Sequence, residues 1–395
     1  MTHSYLVKKD QLLAFLLFSI IILETSFGNT PLQIYNLTFN RILFFVELLI
    51  FVGMISVEKF SKNRLLLSIL IASLFILSYF FIDSALLLKM FMTAISVAII
   101  GESRSFKILF KYKITFLSFI ILLSLIGIIP NMYTVVEKGI GTRYGYTLGF
   151  THPNRLASSV MSLILCFICW KNKKLKLKDM MPIILATSCF YFITKSRTLL
   201  FGIIIFLILF SLYKFSVTSN IIKKILTFLG VIALPVCIGL SIAIPFLLLS
   251  SSGTLQKIVY FVNLMFSRRF TNIEHMFLTY PITFTGGLFD TSQMDKLFEY
   301  SVVDNGYIRF LYQYGILGLA LLGGISFLSV LKIIREKEFI WLITFIIVAI
   351  LGLLENIYTD IGLNTFVIFW AGVLSISKRK NQYDTKKNTL YMVRE

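Results

Sequence analysis

Three short polar stretches interrupt an otherwise apolar chain, and each carries residues able to do chemistry: Thr151-His152-Pro153-Asn154-Arg155, Lys195-Ser196-Arg197-Thr198 and Asp304-Asn305-Gly306-Tyr307. A fourth, "LQKIVYFVNLMFSRRFTNIEHMFLTY", holds Arg268, Arg269 and His275. Arginine presents a planar fork that grips phosphate oxygens two at a time, so Arg197, Arg268, Arg269 and Arg143, with Lys195 beside them, suit a phosphate-bearing ligand. Asp304 is placed to take a proton from an attacking hydroxyl, and His275 competes for the role of base. His152 and Asn154 can hydrogen-bond hydroxyls, and Asn305 and Tyr307 complete the candidate substrate-binding set.

The elements that must hold these groups follow from composition. Of the 395 residues 57% are hydrophobic and only 14% charged. Apolar runs of about 15–25 residues recur along the chain, the length a helix needs to cross a hydrocarbon layer. Twelve spans are expected, at 11–27, 41–57, 65–81, 85–100, 113–130, 153–170, 179–194, 198–213, 225–249, 306–331, 338–355 and 361–377. The expected fold class is all-α: a polytopic integral membrane protein, with 1–395 expected to form a single membrane domain without an appended soluble one. Glu24-Thr25-Ser26 offers no small-residue cleavage site, so the first span is expected to stay uncleaved.

Lysine placement sets the orientation. "EKFSKNR", "GESRSFKILFKYK", "KNKKLKLK", "KFSVTSNIIKK" and "KIIREK" fall on alternate sides of successive spans and share a side with the lysine-bearing termini. By the positive-inside rule, that side is cytoplasmic. The net charge of +19 is accounted for by this bias, and no nucleic-acid partner is expected. Arginine has a different distribution: seven of the twelve basic residues on the other side are arginine, namely Arg41, Arg143, Arg155, Arg197, Arg268, Arg269 and Arg309. The longer connections, 131–152 and above all 250–305 between spans nine and ten, are expected on that outer side as well.

Local signals aim the polar groups outward. Pro153 suits the first turn of a helix with His152 near its cap, where capping and ligand binding are both open to it. Ser196 can cap the following helix, whose N–H groups favour an anion, with Arg197 pointing at the same place. Arg268, Asn272 and His275 at i, i+4 and i+7 would share one face of a surface helix. Cys166, Cys169, Cys189 and Cys237 all fall in expected spans and read as packing residues, so no metal site is expected.

"LGFTHPNRLA", "TKSRTLLFG" and "DNGYIRFLYQYGILGL", in this order, resemble the Wzy-type polysaccharide polymerases of the O-antigen ligase superfamily. The resemblance covers about residues 145–320; residues 1–130 match only in hydropathy. It implies a metal-independent glycosyltransferase without cofactor in a bacterial cytoplasmic membrane. The donor would be a polyprenyl diphosphate-linked oligosaccharide, and a sugar hydroxyl of a second lipid-linked repeat would displace the carrier at the outer face, building an exported or capsular polysaccharide. Membrane lipid, and a flippase and chain-length regulator of the same pathway, would be its partners. By motif, Arg197 would hold the diphosphate with Arg268 or Arg269. Ligase-type relatives often carry His-Asn where this chain has Asp304-Asn305, which favours polymerase over ligase. A lipid-linked oligosaccharide flippase is the alternative of another class, although no repeated halves are visible; an acyltransferase would need a polar constellation on the cytoplasmic side, and none is found.

Overall fold

The computed structural model describes residues 2–32, 37–57, 72, 73, 76, 84–137, 142–215, 220–266, 268–287, 292–298, 302–364 and 366–374. Within lipid a backbone can satisfy its polar groups only internally, and the apolar runs accordingly form helices. Eight described helices are long and apolar enough to cross a membrane: Lys9–Phe27, Phe39–Val57, Glu102–Leu125, Pro153–Lys174, Leu177–Thr194, Arg197–Phe215, Asn220–Ser250 and Gly306–Arg335. Three shorter apolar helices, Leu86–Ile100, Phe339–Leu354 and Phe366–Leu374, are buried almost all round. A helix hydrophobic on every face belongs inside a bundle. Leu86–Ile100 packs on the first helix and on Phe366–Leu374, while Phe339–Leu354 packs on Arg197–Phe215, Asn220–Ser250 and Gly306–Arg335.

The chain is thus an all-helical polytopic membrane protein in its main architecture, with several departures from the expected layout. The third expected span, 65–81, lies outside the described residues except at 72, 73 and 76. The fifth helix begins at Glu102 rather than 113, because the basic stretch read as a loop is helical. Lys107 rests over the Trp170 ring at 5.7 Å, and Lys113, buried, donates to the Gly362 carbonyl. Gly101, at φ +94°, separates this helix from the one before. A small antiparallel hairpin, Tyr133–Glu137 with Thr142–Tyr146, lies within the connection expected to be irregular. The last expected span is described only as Phe366–Leu374, preceded by turns.

The 250–305 segment is also more structured than one surface helix. Gly253–Met265 and Arg269–Thr279 are separate helices, because Arg268 adopts a left-handed conformation at φ +60° and breaks the run. Arg268, Asn272 and His275 therefore do not line one continuous helix face. Residues 283–287 then dock on Gly306–Arg335 where that helix breaks at Gly315, φ +69°. The carbonyls of Thr283 and Phe284 accept the N–H groups of Ile316 and Leu317 at 3.1 and 3.0 Å, replacing the helical bonds lost at the break. A side chain at Gly315 would run into the Phe284 carbonyl oxygen, 2.3 Å from the position of a Cβ.

Candidate functional site

Several helix ends converge on one end of the bundle. Pro153 occupies the first turn of Pro153–Lys171, and the His152 Nδ1 atom accepts the Asn154 N–H at 3.1 Å, capping the helix. An accepting Nδ1 puts the imidazole proton on Nε2, so neutral His152 offers a donor to a ligand. Partial burial lowers the pKa of His152, opposed by Asp304 and assisted by the cations of Arg155 and Arg269.

Asn305 caps Gly306–Arg335. Its Oδ1 accepts the N–H groups of Tyr307 and Ile308, both at 3.0 Å, while its Nδ2 donates to Ser241 Oγ and the Leu353 carbonyl. The Tyr307 hydroxyl donates to the Ala349 carbonyl at 2.7 Å and meets the Tyr358 hydroxyl at 2.8 Å. Both side chains are buried, and their polar atoms are engaged within the bundle. In this structure they anchor the residue before them, Asp304, rather than present themselves to a sugar.

Asp304 is partly exposed and lies 3.6 Å from a terminal nitrogen of Arg269. The same Arg269 nitrogen donates to Glu355 at 3.0 Å, and Thr198 Oγ1 donates to that carboxylate oxygen at 2.9 Å. One arginine thus joins three elements: the start of Arg269–Thr279, the residue ahead of Gly306–Arg335, and the end of Phe339–Leu354. The Lys195-Ser196-Arg197-Thr198 stretch reaches this cluster through Thr198.

Arg197 itself is exposed and makes no side-chain hydrogen bond or ion pair among the described residues. Lys195 is exposed in a left-handed turn, its ammonium 5.2 Å from the Phe192 ring centre. Arg268 is exposed at the break before Arg269–Thr279. Arg143 stands in the second hairpin strand opposite Val136, and its side chain lies outside the described residues. Asn154 is partly buried behind the His152 cap. His275 stacks flat on Phe298, ring centres 3.7 Å apart, and Asn272 donates to the Val302 carbonyl at 2.7 Å. These contacts fasten the helix to the segment leading into Asp304; neither is with Arg269 or Glu355.

Beside the cluster opens a cavity of about 900 Å³. The first two helices contribute the apolar side chains of Ile20, Leu23, Phe27, Phe39 and Leu43, with Thr25 and Asn40 among them. Arg155, Arg309, Asn29, Asn356, Thr359 and Asp360 line the same space. Asp360 accepts from Asn29 Nδ2 at 2.6 Å and lies 3.9 Å from the Arg155 guanidinium, so it orients one of the two cationic side chains. Glu24, also on the cavity wall, pairs with Lys89, which lies 3.2 Å from the buried Glu47.

Arg155, Arg309, Glu355 and Asp360 are site residues whose outer position the sequence indicates but to which it assigns no binding or catalytic role. A signal existed: Arg155 and Arg309 fall inside two of the quoted motifs, and Glu355 and Asp360 are carboxylates at the edges of apolar runs, where an ionisable group is costly without a purpose. In comparisons with known proteins, no family model, curated protein or solved structure matches the chain.

Proposed function

We propose that this chain is a membrane glycosyltransferase that joins polyprenyl diphosphate-linked oligosaccharide repeats at the outer face of a bacterial cytoplasmic membrane, with both termini cytoplasmic. The observation that carries the reading is the mixed lining of the cavity, since apolar side chains together with two arginines and several hydrogen-bonding side chains match an amphiphile whose head is anionic and hydroxylated. The prenyl chain lies along the first two helices, and Arg155 and Arg309 face the diphosphate. Arg197, Lys195 and Arg268, exposed at the same end, extend the phosphate-binding charge.

In the reaction a sugar hydroxyl of the second repeat attacks the anomeric carbon of the first. A new glycosidic C–O bond forms while the bond to the diphosphate oxygen breaks, and polyprenyl diphosphate leaves as the anion. The hydroxyl proton passes to the Asp304 carboxylate, which lies 3.6 Å from the Arg269 guanidinium. Arginines around the leaving group stabilise the charge that develops on it, the largest single contribution in many transfer reactions.

Lipid-linked substrate movement is the second reading, favoured by the Lys89, Glu24 and Glu47 charges packed between helices, since buried ionisable groups in membranes often mark transport paths. Incubating the purified protein with a lipid diphosphate-linked repeat tests the first reading: a ladder of lengthened products supports polymerisation. Transfer of a single repeat to another acceptor would mark a ligase, and binding with no product would favour the transporter.

A further inference from the structure

The end of the bundle opposite the arginine cluster carries a second amphipathic recess. Asn220–Ser250 spans 31 residues, about 46 Å at helical rise, and leads at its far end toward Arg269. Near its start, Lys223 and Lys224 line an open pocket with Asn220, Thr227, Phe228 and Val231. Neither lysine makes an ion pair or side-chain hydrogen bond among the described residues. Directly above, sharing Val231, an entirely apolar groove of about 590 Å³ runs between this helix and Gly306–Arg335.

Four glycines line the groove: Gly230 lets Leu342 pack close, and the other three widen the groove. A Cβ added to Gly239, Gly323 or Gly324 would meet nothing within 4 Å, so their missing side chains leave open space rather than close helix packing. Pro235 removes a backbone donor on the same wall. From Gly230 to Gly239 the groove follows nine residues of this helix, about 13.5 Å, close to one leaflet of a roughly 30 Å hydrocarbon layer.

From this juxtaposition we infer a binding site for an anionic phospholipid, its phosphate held by Lys223 and Lys224 and one acyl chain lying in the glycine-lined groove. The two ammonium groups beside an acid-free pocket select negative charge, and the continuity through Val231 ties that charge to a channel of leaflet length. Basic pockets between membrane helices bind such headgroups by the same combination. The site is independent of the glycosyl-transfer reading, being at the other end of the bundle.

Native mass spectrometry of the full-length protein in detergent tests it, with phosphatidylglycerol and phosphatidylcholine of identical acyl chains as probes. One phosphatidylglycerol should be retained in preference to phosphatidylcholine, and Lys223→Gln with Lys224→Gln should weaken it about 30-fold, from roughly one lysine's worth of surface attraction each. Gly239→Leu, which fills open space and leaves the lysines in place, should weaken both lipids. Equal retention of the two lipids, unaffected by the lysine substitutions, would overturn the proposal. So would displacement of the bound phosphatidylglycerol by a polyprenyl phosphate in the lysine double variant as readily as in the native protein, which would give the groove to a prenyl chain.

Discussion

Arg269 donates to Glu355 at 3.0 Å across 86 positions of sequence, fixing the start of one helix to the end of another. Glu355 is only 9% exposed at its side chain, so the arginine offsets a carboxylate largely removed from water. Removing one partner of such a pair leaves a buried charge, and Arg269→Ala should cost about 3 kcal/mol of stability. Adding Glu355→Gln should recover part of that loss by neutralising the orphan. Thermal unfolding of the purified variants in detergent measures both, and an unchanged midpoint for Arg269→Ala would mean that the pair carries no structural weight.

Asp304 and His275 separate by chemistry. Asp304→Asn keeps size and polarity but not basicity, and product formation should fall by about 10²–10⁴-fold with donor binding retained. His275, stacked on Phe298, should tolerate His275→Gln with product within a few-fold of native and a modest loss of stability. A normally active Asp304→Asn beside an inactive, donor-binding His275→Gln would transfer the base to His275.

The cavity arginines predict a binding defect. Arg155→Gln removes charged hydrogen bonds to the diphosphate and should weaken donor binding about 10–100-fold, read by titration with a fluorescent polyprenyl diphosphate glycan. Arg197→Ala should also weaken binding, and Arg197→Lys should restore little of it, because a point charge lacks the fork. Full restoration by lysine would show that charge alone suffices there.

His152 gives the protein a pH signature. Its imidazole titrates below the ordinary value of about 6.5, so between the two values the unfolded chain binds a proton that the native state does not. Stability is therefore fully present above about pH 6.5 and declines as the pH falls through the native value. His152→Asn keeps a capping acceptor for the Asn154 N–H and should flatten that decline between pH 7.5 and 5.5. An unchanged pH profile of unfolding in this variant would assign the acid sensitivity elsewhere.

A reporter fused after residue 175 should report cytoplasm and one inserted near residue 292 the exterior. Finding both on one side of the membrane would invert the proposed orientation of the site.

Much of the helical frame is legible from apolar runs and helix-end signals; Pro153 marks its helix start as the sequence suggests, whereas Asn305 and not the neighbouring Asp304 caps Gly306–Arg335. The 102–125 helix was harder to delimit because its lysines lie along packed surface, Lys107 over an indole and Lys113 on a carbonyl, where hydropathy reads only charge. The hairpin had a local signal in its β-branched and aromatic residues around Gly139-Ile140-Gly141. The break at Arg268 had none, since a left-handed arginine is a tertiary choice. The site was legible as a set of motifs but not as pairs: no spacing reveals that Arg269 meets Glu355, or that Asp360 orients Arg155. Asn305 and Tyr307 were correctly placed at the helix start, yet their hydrogen bonds turn inward, which only the packed bundle shows.

Counting leaving groups distinguishes glycosyl transfer from transport in one sample. With the purified protein and a defined lipid diphosphate-linked repeat, released polyprenyl diphosphate and newly formed glycosidic linkages are measured in the same sample. One released carrier per linkage is expected in the native protein, and both should fall together by about 10²–10⁴-fold in Asp304→Asn. Bound repeat that stays intact on its carrier, or is moved across a vesicle bilayer without release, would contradict it.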